Sequence, residues 1–197
     1  MIEVLKDIMN EIEDVIGKVK EEEIQAVMDR LDKSRRVFVA GEGRSGFSAK
    51  GFAMRLMHIG YTVFVVGETI TPAMSSGDVF IGVSGSGKSA GVVNDAKKAK
   101  EAGCTVLAVT SKPESPLAEL AEVILQIPGT VKGDTGEDVY KRQVLDHMGC
   151  KLYKSIYKRI FETEYSSWMD HLHHPSDYGL CNVWLTGVRR MEAKTNE

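Results

Sequence analysis

Cysteine is scarce in this chain. Cys104, Cys150 and Cys181 are the three among 197 residues, and no CxxC pair occurs. A scattered, odd-numbered set excludes a disulfide framework and offers no zinc-ligand spacing. Such a sequence suits a reducing cytosol. Long apolar runs are lacking as well. No window approaches the roughly 18 apolar residues of a membrane span. The opening stretch Met1-Ile2-Glu3-Val4-Leu5-Lys6-Asp7 is charged from its third residue, unlike a signal peptide. We therefore expect a cytoplasmic protein with no membrane partner. The net charge of -3 gives no nucleic-acid footprint. Internal repeats and low-complexity runs are also absent. What is present is ordinary for a globular protein: 43% apolar and 27% charged residues. The length suits one domain with a full-sized core.

Residues 2–16 place Ile2, Leu5, Ile8, Met9, Ile12, Val15 and Ile16 at helical spacing. That face is more apolar than a small domain needs to cover itself. It is expected to line a subunit interface in a homo-oligomer, a dimer or tetramer; the alternative is packing on its own core alone. A second amphipathic helix is predicted over 21–32. From there the pattern alternates. Strands are predicted over 37–40, 62–66, 78–83, 104–109 and 122–127, and helices over 45–58, 88–101 and 117–121. Strands alternating with helices imply a parallel sheet covered on both faces, wound by right-handed crossovers. The short link between the second and third strands points to a reversal of direction across the sheet. The expected fold is a three-layer doubly wound α/β domain with strand order 2-1-3-4-5. A loop follows to about residue 136, and residues 137–170 read as helix. The whole chain, 1–197, is read as one domain: helices to residue 34, a sheet core over 35–130, and a C-terminal helical segment.

Two glycine-rich segments carry the chemistry. Gly41-Glu42-Gly43-Arg44-Ser45-Gly46 matches the G-x-G-x-x-G of dinucleotide folds, and Glu68 stands where such a fold puts its ribose carboxylate. Gly82-Val83-Ser84-Gly85-Ser86-Gly87-Lys88-Ser89 matches a P-loop. Neither match suffices alone. Arg44 and Ser45 are polar donors facing the site, and a second donor-rich loop follows the third strand, where a dinucleotide fold does not need one. A P-loop enzyme needs a downstream strand ending in a magnesium-binding Asp, and Thr110-Ser111 and Pro128-Gly129 stand there instead. In a 2-1-3-4-5 sheet both segments leave neighbouring strand ends at the topological switch point. Each leads into a helix N-terminus, where free N–H groups favour an anion. Ser45, Ser84, Ser86 and Ser89 add hydroxyls, while Gly43, Gly85 and Gly87 admit close approach. Together they are expected to form a pocket for one phosphate monoester; the alternative is that the serines and glycines only turn the chain.

On these residues the chain resembles the sugar isomerase (SIS) domain family over 35–127, and within it the 6-phospho-3-hexuloisomerases. The stretches Gly41–Gly46, Phe52-Ala53-Met54-Arg55-Leu56-Met57-His58, Val66-Gly67-Glu68-Thr69-Ile70-Thr71-Pro72 and Ser84–Gly87 carry the likeness. The resemblance implies conversion of 3-hexulose 6-phosphate to fructose 6-phosphate in the ribulose monophosphate pathway. No metal or other cofactor is expected, because hydrogen-bond donors can stabilise the enediolate oxygen. The chain departs from the family in places. Gly87-Lys88-Ser89 stands where Gly-Glu-Thr is usual, and Glu42 replaces a small residue. The C-terminal third is diverged, but Ile160-Phe161-Glu162 and Asp170 keep the family's spacing. The resemblance thus makes Glu162 the catalytic base.

Moving a carbonyl from C3 to C2 needs one base to carry a proton between the two carbons. Glu162 is expected in that role, with Glu68 or Thr71 contacting sugar hydroxyls. His58 is either a proton shuttle or a core-edge histidine. His171, His173 and His174 read as a polar helix end rather than a metal site, having no Cys or carboxylate partner at matching spacing. Three other readings stay open: a non-catalytic phosphosugar-binding protein, an isomerase of another sugar phosphate, and a dinucleotide-dependent oxidoreductase.

Overall fold

The structure, a computed structural model, describes residues 17–129 together with Asn10 and Val15. All of these lie in the first of two units, Met1–Tyr157 and Lys158–Glu197. The expected helices at 2–16 and 137–170 otherwise fall outside the described residues.

Helix α1 (Glu21–Arg30) has three glutamates in its first turn and Arg30 in its last. This places charge of the right sign at each end of the helix dipole. Ile24 and Val27 form its buried stripe. Strand β1 (Val37–Gly41) leads into α2 (Gly43–His58), then β2 (Val63–Val65) and β3 (Val79–Val83). Helix α3 (Ala90–Glu101), β4 (Thr105–Thr110), α4 (Pro116–Leu120) and β5 (Val123–Gln126) follow. The five strands form one parallel sheet in the order β2-β1-β3-β4-β5, as the periodicity predicts.

Central strands buried on both sides cannot alternate polar and apolar residues. Val37 to Ala40 and all of β3 are accordingly buried and apolar. One face of the sheet packs Phe38, Phe80, Val106 and Ala108 against Val92, Ala96 and Ala99 of α3 and Leu117 of α4. Across the other face, α2 lies on β1 and β2 through Ala49, Phe52, Ala53 and Leu56, while α1 lies against β5. Phe38 also stacks on Phe64 of the edge strand at 5.3 Å.

Two helix starts differ from the sequence reading. α2 begins at Gly43, not Ser45, because the Gly46 N–H already closes a turn on the Glu42 carbonyl at 3.1 Å. α3 begins at Ala90, not Lys88. The Lys88 N–H is bonded to Ser86 Oγ at 3.2 Å, which holds the chain in a turn for longer.

The edge of the sheet opposite the glycine-rich turns is tied by charge. Arg36 grips both carboxylate oxygens of Asp78, which is 5% exposed. The Ser75 N–H donates to the same group at 2.7 Å, and Arg35 bonds the carbonyls of Gly77 and Asp78. Burial pushes the Asp78 pKa up, but the Arg36 and Ser75 hydrogen bonds outweigh it and hold the group below the ordinary aspartate value. A depressed folded-state pKa contributes stability above the unfolded value, and that contribution is lost as pH falls through the folded value. Asp78→Asn should therefore cost roughly 2 kcal/mol at pH 7. The gap from the parent protein should close as pH drops below about 4. Thermal melts of both proteins at pH 7 and pH 3 check this; an equal gap at both would contradict it.

Candidate functional site

β1 and β3 pair along their full length, with Gly41 opposite Val83. The residues that follow, Glu42 and Ser84, therefore leave the sheet side by side. β1 crosses over to β2 on one side and β3 to β4 on the other, so the two turns open between diverging connections. Here the two glycine-rich motifs meet at one crevice. The observed strand order differs from the 3-2-1-4-5-6 of a dinucleotide fold. Gly82, the first glycine of the formal P-loop, lies inside β3.

The first turn is short. Gly41 and Gly46 pack backbone to backbone; a Cβ on Gly46 would lie 2.7 Å from the Gly41 carbonyl oxygen. Only glycine allows the helix start to sit this close to the strand end. Arg44 and Ser45 consequently occupy the first turn of α2. Their N–H groups are among those a helix leaves unpaired at its start. Arg44 is exposed and Ser45 half-buried.

The second turn is held from behind. The Gly85 carbonyl accepts from the Ser111 N–H at 3.0 Å, Ser111 Oγ at 2.6 Å and Thr110 Oγ1 at 3.2 Å. The Gly87 carbonyl accepts from the Leu117 N–H at 3.1 Å. These bonds draw the carbonyls toward β4 and α4. Among the described residues the N–H groups of Gly85, Ser86, Ser89 and Ala90 have no acceptor. Successive free N–H groups in such a turn form an anion-binding concavity. Ser84, 2% exposed, shares a 3.0 Å hydrogen bond with Ser89 through their hydroxyls. Ser86 and Ser89 are half-buried, and Lys88 is exposed.

The supporting residues Thr110, Ser111 and Ser115 are all buried. In the sequence, Thr110-Ser111 stands out only for lacking an Asp. The usable signal was a run of hydroxyls directly after an apolar strand. The sequence gives no sign of where Glu42 points: its Oε1 accepts from the Gly91 N–H of α3 at 3.1 Å.

Other expected residues are spread more widely. Glu68 follows β2 and pairs with Lys50 at 2.6 Å, both side chains about half exposed. Thr71 gives its hydroxyl proton to the Val65 carbonyl, which leaves its oxygen able only to accept. His58 is the last residue of α2. That helix starts at the crevice and runs back along the sheet. At about 1.5 Å per residue His58 lies roughly 20 Å from Arg44, so the structure does not bring it to the two turns. Glu162, Asp170, His171, His173 and His174 lie outside the described residues.

Gly87 sets the second turn. Its φ is +62°, and a Cβ would lie 1.9 Å from Ser115 Oγ and 2.3 Å from Ser115 Cβ. Gly87→Ala should therefore destabilise by about 2 kcal/mol or more. Gly51→Ala, where nothing lies within 4 Å, should be neutral or stabilising because alanine favours helix. Urea denaturation of the two variants checks the contrast; equal stabilities would contradict it.

Residues 30–132 match the SIS domain model. A 3-hexulose-6-phosphate isomerase of Mycobacterium gastri is 40% identical over 164 residues, covering 83% of this chain and 80% of that protein. A 3-hexulose-6-phosphate isomerase of Bacillus subtilis is 40% identical over 139 residues, covering 71% of this chain and 75% of that protein. A solved structure from Methanococcus jannaschii, described as inferring a molecular function of 3-hexulose-6-phosphate isomerase, superposes with a TM-score of 0.68. It is 28% identical, covering 80% of this chain and 91% of that one. With its sheet order, its paired turns and these relatives, the chain belongs to the SIS domain family.

Proposed function

We propose that this chain is a phosphosugar isomerase that converts 3-hexulose 6-phosphate to fructose 6-phosphate. One observation carries the reading: two turns rich in N–H and hydroxyl donors meet at the β1–β3 crevice. Two relatives at 40% identity are named 3-hexulose-6-phosphate isomerase.

The phosphate is the remote handle. Held by the turns after β1 and β3, it supplies binding energy that orients the reacting carbons. At those carbons a base takes the C2 proton, the enediol forms, and a proton returns to C3. Glu162 is the proposed base, its carboxylate serving both transfers. Glu68 and Thr71 offer acceptor oxygens to sugar hydroxyls. Hydrogen-bond donors aimed at the enediolate oxygen stabilise it as charge develops. His58 is assigned no step within its own chain. Assembly into a homo-oligomer and residence in the cytosol belong to the same proposal, supported by the apolar stripe at 2–16 and by the thiol pattern.

A coupled assay for fructose 6-phosphate, fed by a hexulose phosphate synthase, tests the reading. Turnover is expected. Glu162→Gln should reduce kcat by about 10²–10⁴-fold with KM little changed; a fully active variant would sink the assignment. Ser84→Ala removes a hydroxyl from the phosphate turn and should raise KM about tenfold, the worth of one hydrogen bond. A protein stabilised by phosphosugars but without turnover would instead be a non-catalytic binder.

A further inference from the structure

Glu42 is the N-cap residue of α2, yet its side chain makes no cap bond to that helix. It reaches across the crevice instead, and Oε1 accepts from the Gly91 N–H at 3.1 Å. Gly91 is the second residue of α3, so a carboxylate of this chain is seated on the N-terminus of the helix that follows the phosphate turn. The fit depends on glycine: a Cβ on Gly91 would lie 2.2 Å from Glu42 Oε1. The negative charge is felt within α3. Burial raises the Asp95 pKa, Lys98 opposes the rise, and the Glu42 charge adds to it.

We infer that Glu42 is a built-in competitor for the phosphate group, a specificity-determining residue that holds one anion-binding amide of the crevice and repels a second anion. This rests on the phosphosugar reading of the two turns. A free helix N-terminus favours any anion. With Glu42 on the Gly91 amide, an incoming dianion meets a like charge beside the remaining donors of Gly85, Ser86, Ser89 and Ala90. Two like charges a few ångströms apart near a protein surface repel, and the surface screens them less than bulk water does. Small anions that bring nothing else are thereby disfavoured. A sugar phosphate offsets the repulsion with contacts from its hydroxyls, so the crevice discriminates against free inorganic phosphate.

Calorimetric titration of the full chain with inorganic phosphate tests this, using the parent protein, Glu42→Gln and Gly91→Ala. Glu42→Gln removes the charge and keeps the shape. Gly91→Ala keeps the charge and evicts the carboxylate from its seat, at an exposed helical position. Both variants should bind phosphate about tenfold more tightly than the parent. Unchanged or weaker binding by Glu42→Gln would overturn the inference while leaving the site reading intact. Tightening in Glu42→Gln without it in Gly91→Ala would overturn the seat on the Gly91 amide. No binding by any of the three proteins would overturn the phosphate reading of the turns, and this inference with it.

Discussion

The parallel pairing of β1 with β3 is the constraint on which everything else in this chain rests. Five residues of each strand align, from Val37 opposite Val79 to Gly41 opposite Val83. A parallel ladder puts both C-terminal ends at the same edge, so whatever follows Gly41 and Val83 must emerge together. The opposite edge keeps that register. There the Arg36 guanidinium and the Asp78 carboxylate clamp the residues just before β1 and β3. The clamp and the crevice are two ends of one pair of strands. The apolar bulk of Phe38 and Phe80 lies between them.

At the upper edge, the chemistry is a matter of which backbone groups are spent. The second turn spends its carbonyls. Gly85 and Gly87 accept from Thr110, Ser111 and Leu117, and their positions commit the turn to face its N–H groups outward. A buried carbonyl without a donor is costly, so the hydroxyls at the end of β4, Thr110 and Ser111, are as necessary to the crevice as the serines that line it. Gly87 completes the arrangement, because its left-handed φ and the tight approach of Ser115 leave no room for a side chain. The first turn reaches a similar end by other means. The contact of Gly41 with Gly46 draws the start of α2 onto the strand end.

Much of this was legible in the residues. The five strands fall within a residue or so of their expected positions because buried apolar runs such as Val79–Val83 have only one way to be satisfied. Strand order was legible from the weak, helix-free link between β2 and β3. Helix starts were less so: Gly43 and Ala90 were misplaced by two residues, since a turn closed by Gly46 or held by Ser86 Oγ gives no periodic signal. The reach of Glu42 to Gly91 was not legible at all, because the two residues are 49 positions apart. Nor was the commitment of the Thr71 hydroxyl to Val65, or the distance that α2 puts between His58 and the crevice.

The sequence by itself determined the class of fold, the order of its strands and the two donor-rich segments. Those properties depend on local periodicity and on residues that have few conformational options. Only the tertiary structure decided that Thr110, Ser111 and Ser115 hold the second turn, and that a carboxylate from the first turn sits on the helix of the second. Those outcomes depend on register between strands distant in the chain. Hydrogen-bond partners across such a register are chosen by geometry, which no single stretch of sequence contains.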